Sequence, residues 1–194
     1  MTCFMMLSCC NGSVKTGLDC VGEYKSLFEG RRVGIIANHT AYDSDGRIIV
    51  DVFRSMTDLT VTALFSPEHG LWGTAQDGDK IDNQTDSVYN LPVYSLYGKT
   101  QKPTSDMLRD IDVLVFDIQD IGARFYTYIY TMSLAMEAAA ENGKTFIVLD
   151  RPNPINGISI QGNILEPALA SFVGLYPIPV RHGMTAGELA KMFN

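Results

Sequence analysis

The sequence predicts an α/β domain built on a mainly parallel sheet. Three observations predict it: short apolar runs that end in polar residues, helical stretches with one apolar face, and the alternation of the two from residue 31 onward. The 194 residues suit one domain, and the 46% apolar and 19% charged fractions place the chain among globular proteins. A formal net charge of −7 argues against a nucleic-acid backbone or an anionic membrane surface as the main partner. No run approaches the ~20 consecutive apolar residues of a membrane-spanning helix.

The N-terminus reads differently from the rest. Cys3, Cys9, Cys10 and Cys20 all fall in the first 20 residues, where neither a disulfide framework nor zinc-ligand spacing is formed. Leu7-Ser8-Cys9-Cys10, after Phe4-Met5-Met6, resembles the end of a bacterial lipoprotein signal with Cys10 (or Cys9) as the lipidated residue. Residues 1–22 are therefore read as a signal-like leader or a disordered N-terminus, and 23–194 as the folded domain. The first reading implies an exported protein, periplasmic or membrane-anchored, that meets a membrane only through that lipid.

The elements follow in order. Val33 to Asn38 is a short apolar run suited to a buried parallel strand. Residues 44–57 place Ile48, Ile49, Val52, Phe53 and Met56 on one helical face, with Ser44 or Asp45 to cap the start. Leu59 to Phe65 is the next strand, and the polar, glycine-bearing stretch 66–90 (Gly70, Gly73, Gly78) is long enough to suggest a functional loop. Pro92 to Leu96 suits a short strand, Thr104 to Arg109 a short helix, and Asp112 to Asp117 is the clearest strand in the chain. Phe125, Ile129, Met132, Met136 and Ala139 form a helical stripe that Gly143 can terminate, and Thr145 to Asp150 is another strand. Thr185 and Glu188 make a capping-box pattern for a last helix only two turns long, which implies a polypeptide that continues beyond Asn194.

Open α/β sheets bind ligands beyond the carboxyl ends of their strands. Those ends deliver Asn38-His39-Thr40, then Pro67-Glu68-His69, then Asp117 to Asp120, then Asp150 to Pro154. No glycine-rich phosphate motif follows a strand, so no nucleotide cofactor is expected, and no other cofactor is implied. Glu68 lies beside Phe65, Pro67 and Trp72, an environment expected to raise its pKa and suit it as a general acid. His39, His69 and His182 could ligate a metal with Asp117 or Asp120, but their spacing favours ordinary hydrogen bonding, and no metal is expected. Alternation lets Asp117 and Gln119 point the same way. Arg124 sits near a helix start, against the helix dipole, where it can pair with Asp120 or grip a substrate carboxylate. Tyr126, Tyr128 and Tyr130 are either sugar-stacking rings or core.

Taken together, Gly34 to Thr40, Leu64 to Gly70, Leu91 to Gly98, Val113 to Tyr128, Val148 to Pro154 and Val173 to Leu189 resemble the YbbC/NamZ family of exo-β-N-acetylmuramidases. The resemblance spans about residues 30–194. It implies a Rossmann-like three-layer N-terminal domain, here without the family's smaller C-terminal domain, and a cleft between the two. It also implies hydrolysis of terminal β-linked N-acetylmuramic acid from the non-reducing end of peptidoglycan fragments, so that the partner is a saccharide. Glu68 is implied as the catalytic acid, with His69 and Asp117 grouped with it. Asn38, His39, Tyr97, Gln119, Asp120, Arg124, Tyr126, Asp150, Arg151, Asn153 and His182 are implied to line the cleft, Arg124 or Arg151 meeting the lactyl carboxylate. Two other readings stand beside this one: a muropeptide-binding domain without catalysis, and a metal-dependent hydrolase.

Overall fold

The computed structural model describes residues 3–5, 8–10, 13–73 and 84–194, with backbone alone for 3–5, 8–10 and 13. Along the chain come β1 (Cys3–Met5), β2 (Ser8–Cys10), β3 (Ser13–Lys15), β4 (Arg31–Ala37), α1 (Ile49–Ser55), β5 (Leu59–Ser66) and β6 (Gln84–Thr85). They are followed by β7 (Pro92–Ser95), β8 (Val113–Asp117), α2 (Tyr128–Glu141), β9 (Thr145–Val148), β10 (Gln161–Ile164), β11 (Pro179–Arg181) and α3 (Ala186–Phe193). The central sheet has the order β1-β9-β8-β4-β5-β7-β6. Its first six strands are parallel and β6 closes the edge antiparallel.

Strand alternation divides the core into two layers around this sheet. Val33, Ile35, Val113, Val115 and Ile147 face α1 and the segment 18–28, with Phe28 and Phe53 in edge-to-face contact at 5.1 Å. Ile36, Leu114, Phe116, Phe146 and Val148 face α2 and α3 instead. The result is a three-layer α/β domain with buried parallel strands, and their near-continuous apolar sequences follow from having both faces covered. Helix α3 carries the full capping box: the Thr185 hydroxyl accepts from the Glu188 N–H at 3.2 Å, and Glu188 accepts from the Thr185 N–H at 2.9 Å. Its apolar face has a partner here, since Leu189 and Ala190 are buried and Phe193 stacks on Tyr176 at 3.8 Å.

Several expectations shift. The first helix begins at Ile49 and not at 44, because Asp43 takes the N–H groups of Asp45 and Arg47 and folds that stretch into a turn. Residues 104–110 form successive turns rather than a helix, with Leu108 and Ile111 anchored in the core. The long helix begins at Tyr128, so Phe125 falls outside its stripe and is 57% exposed. Gly143 terminates that helix as expected, with φ +64° just after the Asn142 cap. Leu18, Cys20 and Val21 are buried in the core, so the packed domain starts before residue 23. The backbone of β1 pairs with β9. The side chains of Cys9 and Cys10, and Gly78 of the polar stretch, lie outside the described residues. The β10–β11 hairpin was not expected, and around it Ile158 (91% exposed), Ile160 and Ile164 face outward.

Candidate functional site

The parallel strands β4, β5, β8 and β9 bring their carboxyl ends to one rim, as the sequence implies. Beyond β5 the chain turns sharply: His69 is held at φ +68° and Gly70 at φ +78°. A non-glycine residue in that region costs about 1–3 kcal/mol and persists where the surroundings enforce it, commonly at functional sites. The turn leaves Glu68 half-buried, and its Oε2 accepts a hydrogen bond from the Thr127 hydroxyl at 3.1 Å, at the start of α2. The Tyr128 hydroxyl lies 3.5 Å from the Glu68 carbonyl oxygen. Burial pushes that phenol far above its ordinary range, and the neighbouring Tyr126, at 4.7 Å between ring centroids, adds to this.

Asn38 itself is wholly buried. Its Oδ1 accepts from the backbone N–H and the hydroxyl of Thr40, at 2.9 and 2.6 Å, while its Nδ2 has no hydrogen-bond partner among the described residues. Thr40 Oγ1 in turn accepts from the Gln119 N–H at 3.0 Å, tying the β4 end to the β8 end. The exposed His39 has its ring against Gly73 (φ +68°), where a Cβ would come 2.3 Å from Nδ1. Trp72, expected against Glu68, instead donates its indole N–H to Asp86 at 3.2 Å and stacks on Tyr89 at 6.4 Å. Tyr97 is half-buried beyond β7, its carbonyl accepting from the Ser95 hydroxyl at 3.2 Å.

The β8–β9 side is built differently. Asp117 has no exposed surface and meets Arg151 in a bidentate pair, Nε to Oδ1 at 2.5 Å and Nη2 to Oδ2 at 3.0 Å. Arg151 Nη2 also donates to the Tyr42 carbonyl at 3.0 Å. Burial pushes the Asp117 carboxyl up and the guanidinium opposes it. Asp150 is likewise enclosed: it accepts from the Thr185 hydroxyl at 2.7 Å, the Gly187 N–H at 2.8 Å and the Arg151 N–H at 3.0 Å. Burial raises its pKa, and these donors resist the rise. Asp120 accepts from the Gly122 N–H at 2.7 Å and lies 3.3 Å from His182 Nε2, but neither that nitrogen nor Asp120 Oδ1 has a hydrogen-bond partner among the described residues. Because His182 Nδ1 accepts the Met184 N–H at 3.2 Å, the ring proton sits on Nε2, toward Asp120.

Here the pairing expected of Arg124 is corrected. Arg124 lies outside α2 and does not pair with Asp120; its Nη1 donates to the carbonyls of Asn163 at 2.7 Å and Ile178 at 2.8 Å. Arg151 is engaged in a bidentate pair with Asp117. Gln119 lies past the end of β8, where alternation no longer governs, and its Nε2 donates to the carbonyls of Asp120 and Pro152. Asn153 joins the loops through the Met184 carbonyl and the Ile155 N–H, and it fills the space where a Cβ on Gly122 (φ +80°) would lie 2.5 Å from its Oδ1. Tyr130 is core, donating to the Arg124 carbonyl at 2.6 Å. The histidine–aspartate ligand set weighed as an alternative is not brought together: among the described residues no three His, Cys, Asp or Glu side chains are grouped to hold a metal. Thr127 was not singled out from sequence, because the helix start was placed two residues before it; a threonine directly before the true first helical residue was the available signal.

Comparison with known proteins adds the following. Residues 33–194 match the family model described as exo-beta-N-acetylmuramidase NamZ, N-terminal. A peptidoglycan beta-N-acetylmuramidase NamZ of Bacillus subtilis (strain 168) is 56% identical over 182 residues, which is 93% of this chain and 44% of that protein. Two crystal structures of DUF1343 family proteins from Bacteroides fragilis NCTC 9343 are also similar. One superposes with a TM-score of 0.86 at 51% identity, covering 93% of this chain and 45% of its own; the other gives 0.78 at 38%, covering 93% and 46%. The chain thus spans less than half the length of each of these relatives.

Proposed function

The chain belongs to the exo-β-N-acetylmuramidase NamZ family, and on that premise we propose that it carries the general acid of a glycoside hydrolase. The substrate is terminal β-linked N-acetylmuramic acid at the non-reducing end of peptidoglycan fragments, and the reaction serves cell-wall recycling. Glu68 is the acid. One observation carries this assignment: of the four carboxylates on the rim, Asp117, Asp120 and Asp150 are buried, whereas Glu68 keeps accessible surface through which a ligand can meet it. Glycoside cleavage needs a carboxylic acid placed to protonate the leaving oxygen, and only a rim group with accessible surface can reach it. The buried Tyr128 backs it from within, and the half-buried Tyr126 packs on that ring at 4.7 Å.

The test is the release of muramic acid from a chromogenic N-acetylmuramide by the full-length protein. Glu68→Gln is expected to lower kcat by about 10²–10⁴-fold with little change in the unfolding midpoint. Unchanged turnover overturns the role of Glu68. Calorimetry with a muropeptide disaccharide separates the alternative of a binding domain, which would take up the sugar without releasing product. Export as a lipoprotein rests on the Leu7-Ser8-Cys9-Cys10 pattern, and mass spectrometry of the mature N-terminus tests it.

A further inference from the structure

Two threonines in this chain directly precede helices and use their hydroxyls differently. Thr185 precedes α3 and turns its hydroxyl inward onto the helix, accepting the Glu188 N–H at 3.2 Å. That is the ordinary use of threonine before a helix, since it satisfies one of the first-turn N–H groups that have no helical partner. Thr127 precedes α2, the longest helix, and makes no such bond. Its hydroxyl points away from the helix and donates to Glu68 Oε2 at 3.1 Å, across 59 positions of sequence. Thr127 has helical backbone angles (φ −67°, ψ −15°), unlike the extended Thr185 (φ −80°, ψ 167°), so its hydroxyl is not drawn into a cap and is committed to the distant carboxylate instead.

We infer that Thr127 is a positioning residue for Glu68, fixing the carboxyl so that Oε1 is the oxygen presented to the sugar. This rests on the reading of Glu68 as the acid. The last torsion of a glutamate side chain is broad and nearly two-fold, so an untethered carboxyl samples many orientations. A hydroxyl donating to Oε2 narrows that range. It also makes Oε2 the accepting oxygen, which assigns the transferable proton to Oε1. The backbone on either side of the carboxyl is held as well, by the left-handed His69 and by the Tyr128 hydroxyl 3.5 Å from the Glu68 carbonyl oxygen. Glu68 therefore approaches the reacting bond from a fixed direction, which is the condition under which a positioned acid is effective.

Steady-state hydrolysis of a chromogenic N-acetylmuramide by the full-length protein tests this, comparing wild type with Thr127→Val, Thr127→Ala, Thr127→Ser and Glu68→Gln. Thr127→Val and Thr127→Ala are expected to lose about 10–100-fold in kcat with KM within a factor of about two and an unfolding midpoint near that of wild type. Thr127→Ser, which keeps the hydroxyl, is expected to retain most of kcat. Thr127→Ala removes the hydroxyl without adding bulk, so misfolding of the valine variant alone decides nothing. Full kcat in both hydroxyl-free variants, alongside an inactive Glu68→Gln, overturns the positioning role and leaves Glu68 as the acid. A serine variant as impaired as the alanine one also overturns it. An inert wild type, or a fully active Glu68→Gln, overturns the glycosidase reading and the role of Thr127 with it.

Discussion

The two sides of the rim carry the same kinds of residue and spend them in opposite ways. On the β8–β9 side, Asp117 meets Arg151, Asp150 receives Thr185 and the start of α3, and Asp120 takes the Gly122 N–H with one oxygen while its Oδ1 has no hydrogen-bond partner among the described residues; all three carboxylates are buried. On the β4–β5 side, Glu68 is half-open with a hydroxyl as its partner, and Asn38 keeps a buried donor with no partner among the described residues. The difference separates polar groups that hold the loops together from polar groups that remain available for chemistry. A buried carboxylate with a guanidinium or a helix N-terminus on it is committed, because removing either partner leaves an uncompensated charge. A partly exposed one can change partners at little cost, because water replaces what it gives up.

The sharpest way to break this comparison is to cut into the committed side. Arg151→Ala leaves Asp117 buried without its guanidinium and also frees the Tyr42 carbonyl, and it is expected to cost about 3–5 kcal/mol of stability in urea unfolding. Glu68→Gln in the same assay is expected to shift stability by no more than about 0.5 kcal/mol, as for a partly exposed position. If Arg151→Ala unfolds no more easily than Glu68→Gln, the division of the rim is wrong. A smaller effect is expected from Asp150→Asn. The amide keeps one acceptor oxygen for the Gly187 and Arg151 N–H groups but presents an NH₂ to the Thr185 hydroxyl, at a cost of about 1–3 kcal/mol. Because Asp150 holds the first turn of α3, the loss should appear first as faster amide exchange in residues 186–193, ahead of the central strands.

This division was only partly legible in the sequence. The strands were legible because burial on both faces writes them as unbroken apolar runs, and the rim followed from parallel order. Glu68 stood out by its place directly after a strand. What could not be read is which carboxylate is committed: Asp117 and Asp150 differ from Glu68 by partners that lie 34 and 35 positions away, Arg151 and Thr185. Local rules also failed where a side chain outcompeted them. Ser44 and Asp45 look like helix caps, but Asp43 captures the intervening N–H groups and delays α1 to Ile49. Phe125 keeps the helical spacing yet lies before the helix. The β10 strand has no periodic signal at all, since Gln161 to Ile164 are exposed on both faces.

Strand β8 offers a control at its other end for whether burial, rather than pairing, creates the committed side. Just before β8, at the opposite end from Asp117, Asp112 meets Arg32 with the same bidentate chemistry: Nε to Oδ2 at 3.1 Å and Nη2 to Oδ1 at 3.0 Å. This pair is largely open to water, with side-chain exposures of 43% for Arg32 and 29% for Asp112. The Arg32 hydrogen bonds hold the Asp112 carboxyl down to about 2, against about 3.9 in an unfolded chain. A carboxyl depressed in the folded state contributes stability that is present above its unfolded pKa and is lost as pH falls through its folded value. The contribution of this pair should therefore be complete above about pH 4 and vanish between about pH 4 and pH 2. Asp112→Asn should unfold slightly more easily than wild type at neutral pH, and the two should converge near pH 2. The neutral-pH gap should be smaller than those of Arg151→Ala and Asp150→Asn and should shrink further in added salt, because solvent screens an exposed pair. A gap at pH 7 as large as that of Arg151→Ala would show that pairing alone commits a carboxylate, and the contrast between the two sides of the rim would lose its physical basis.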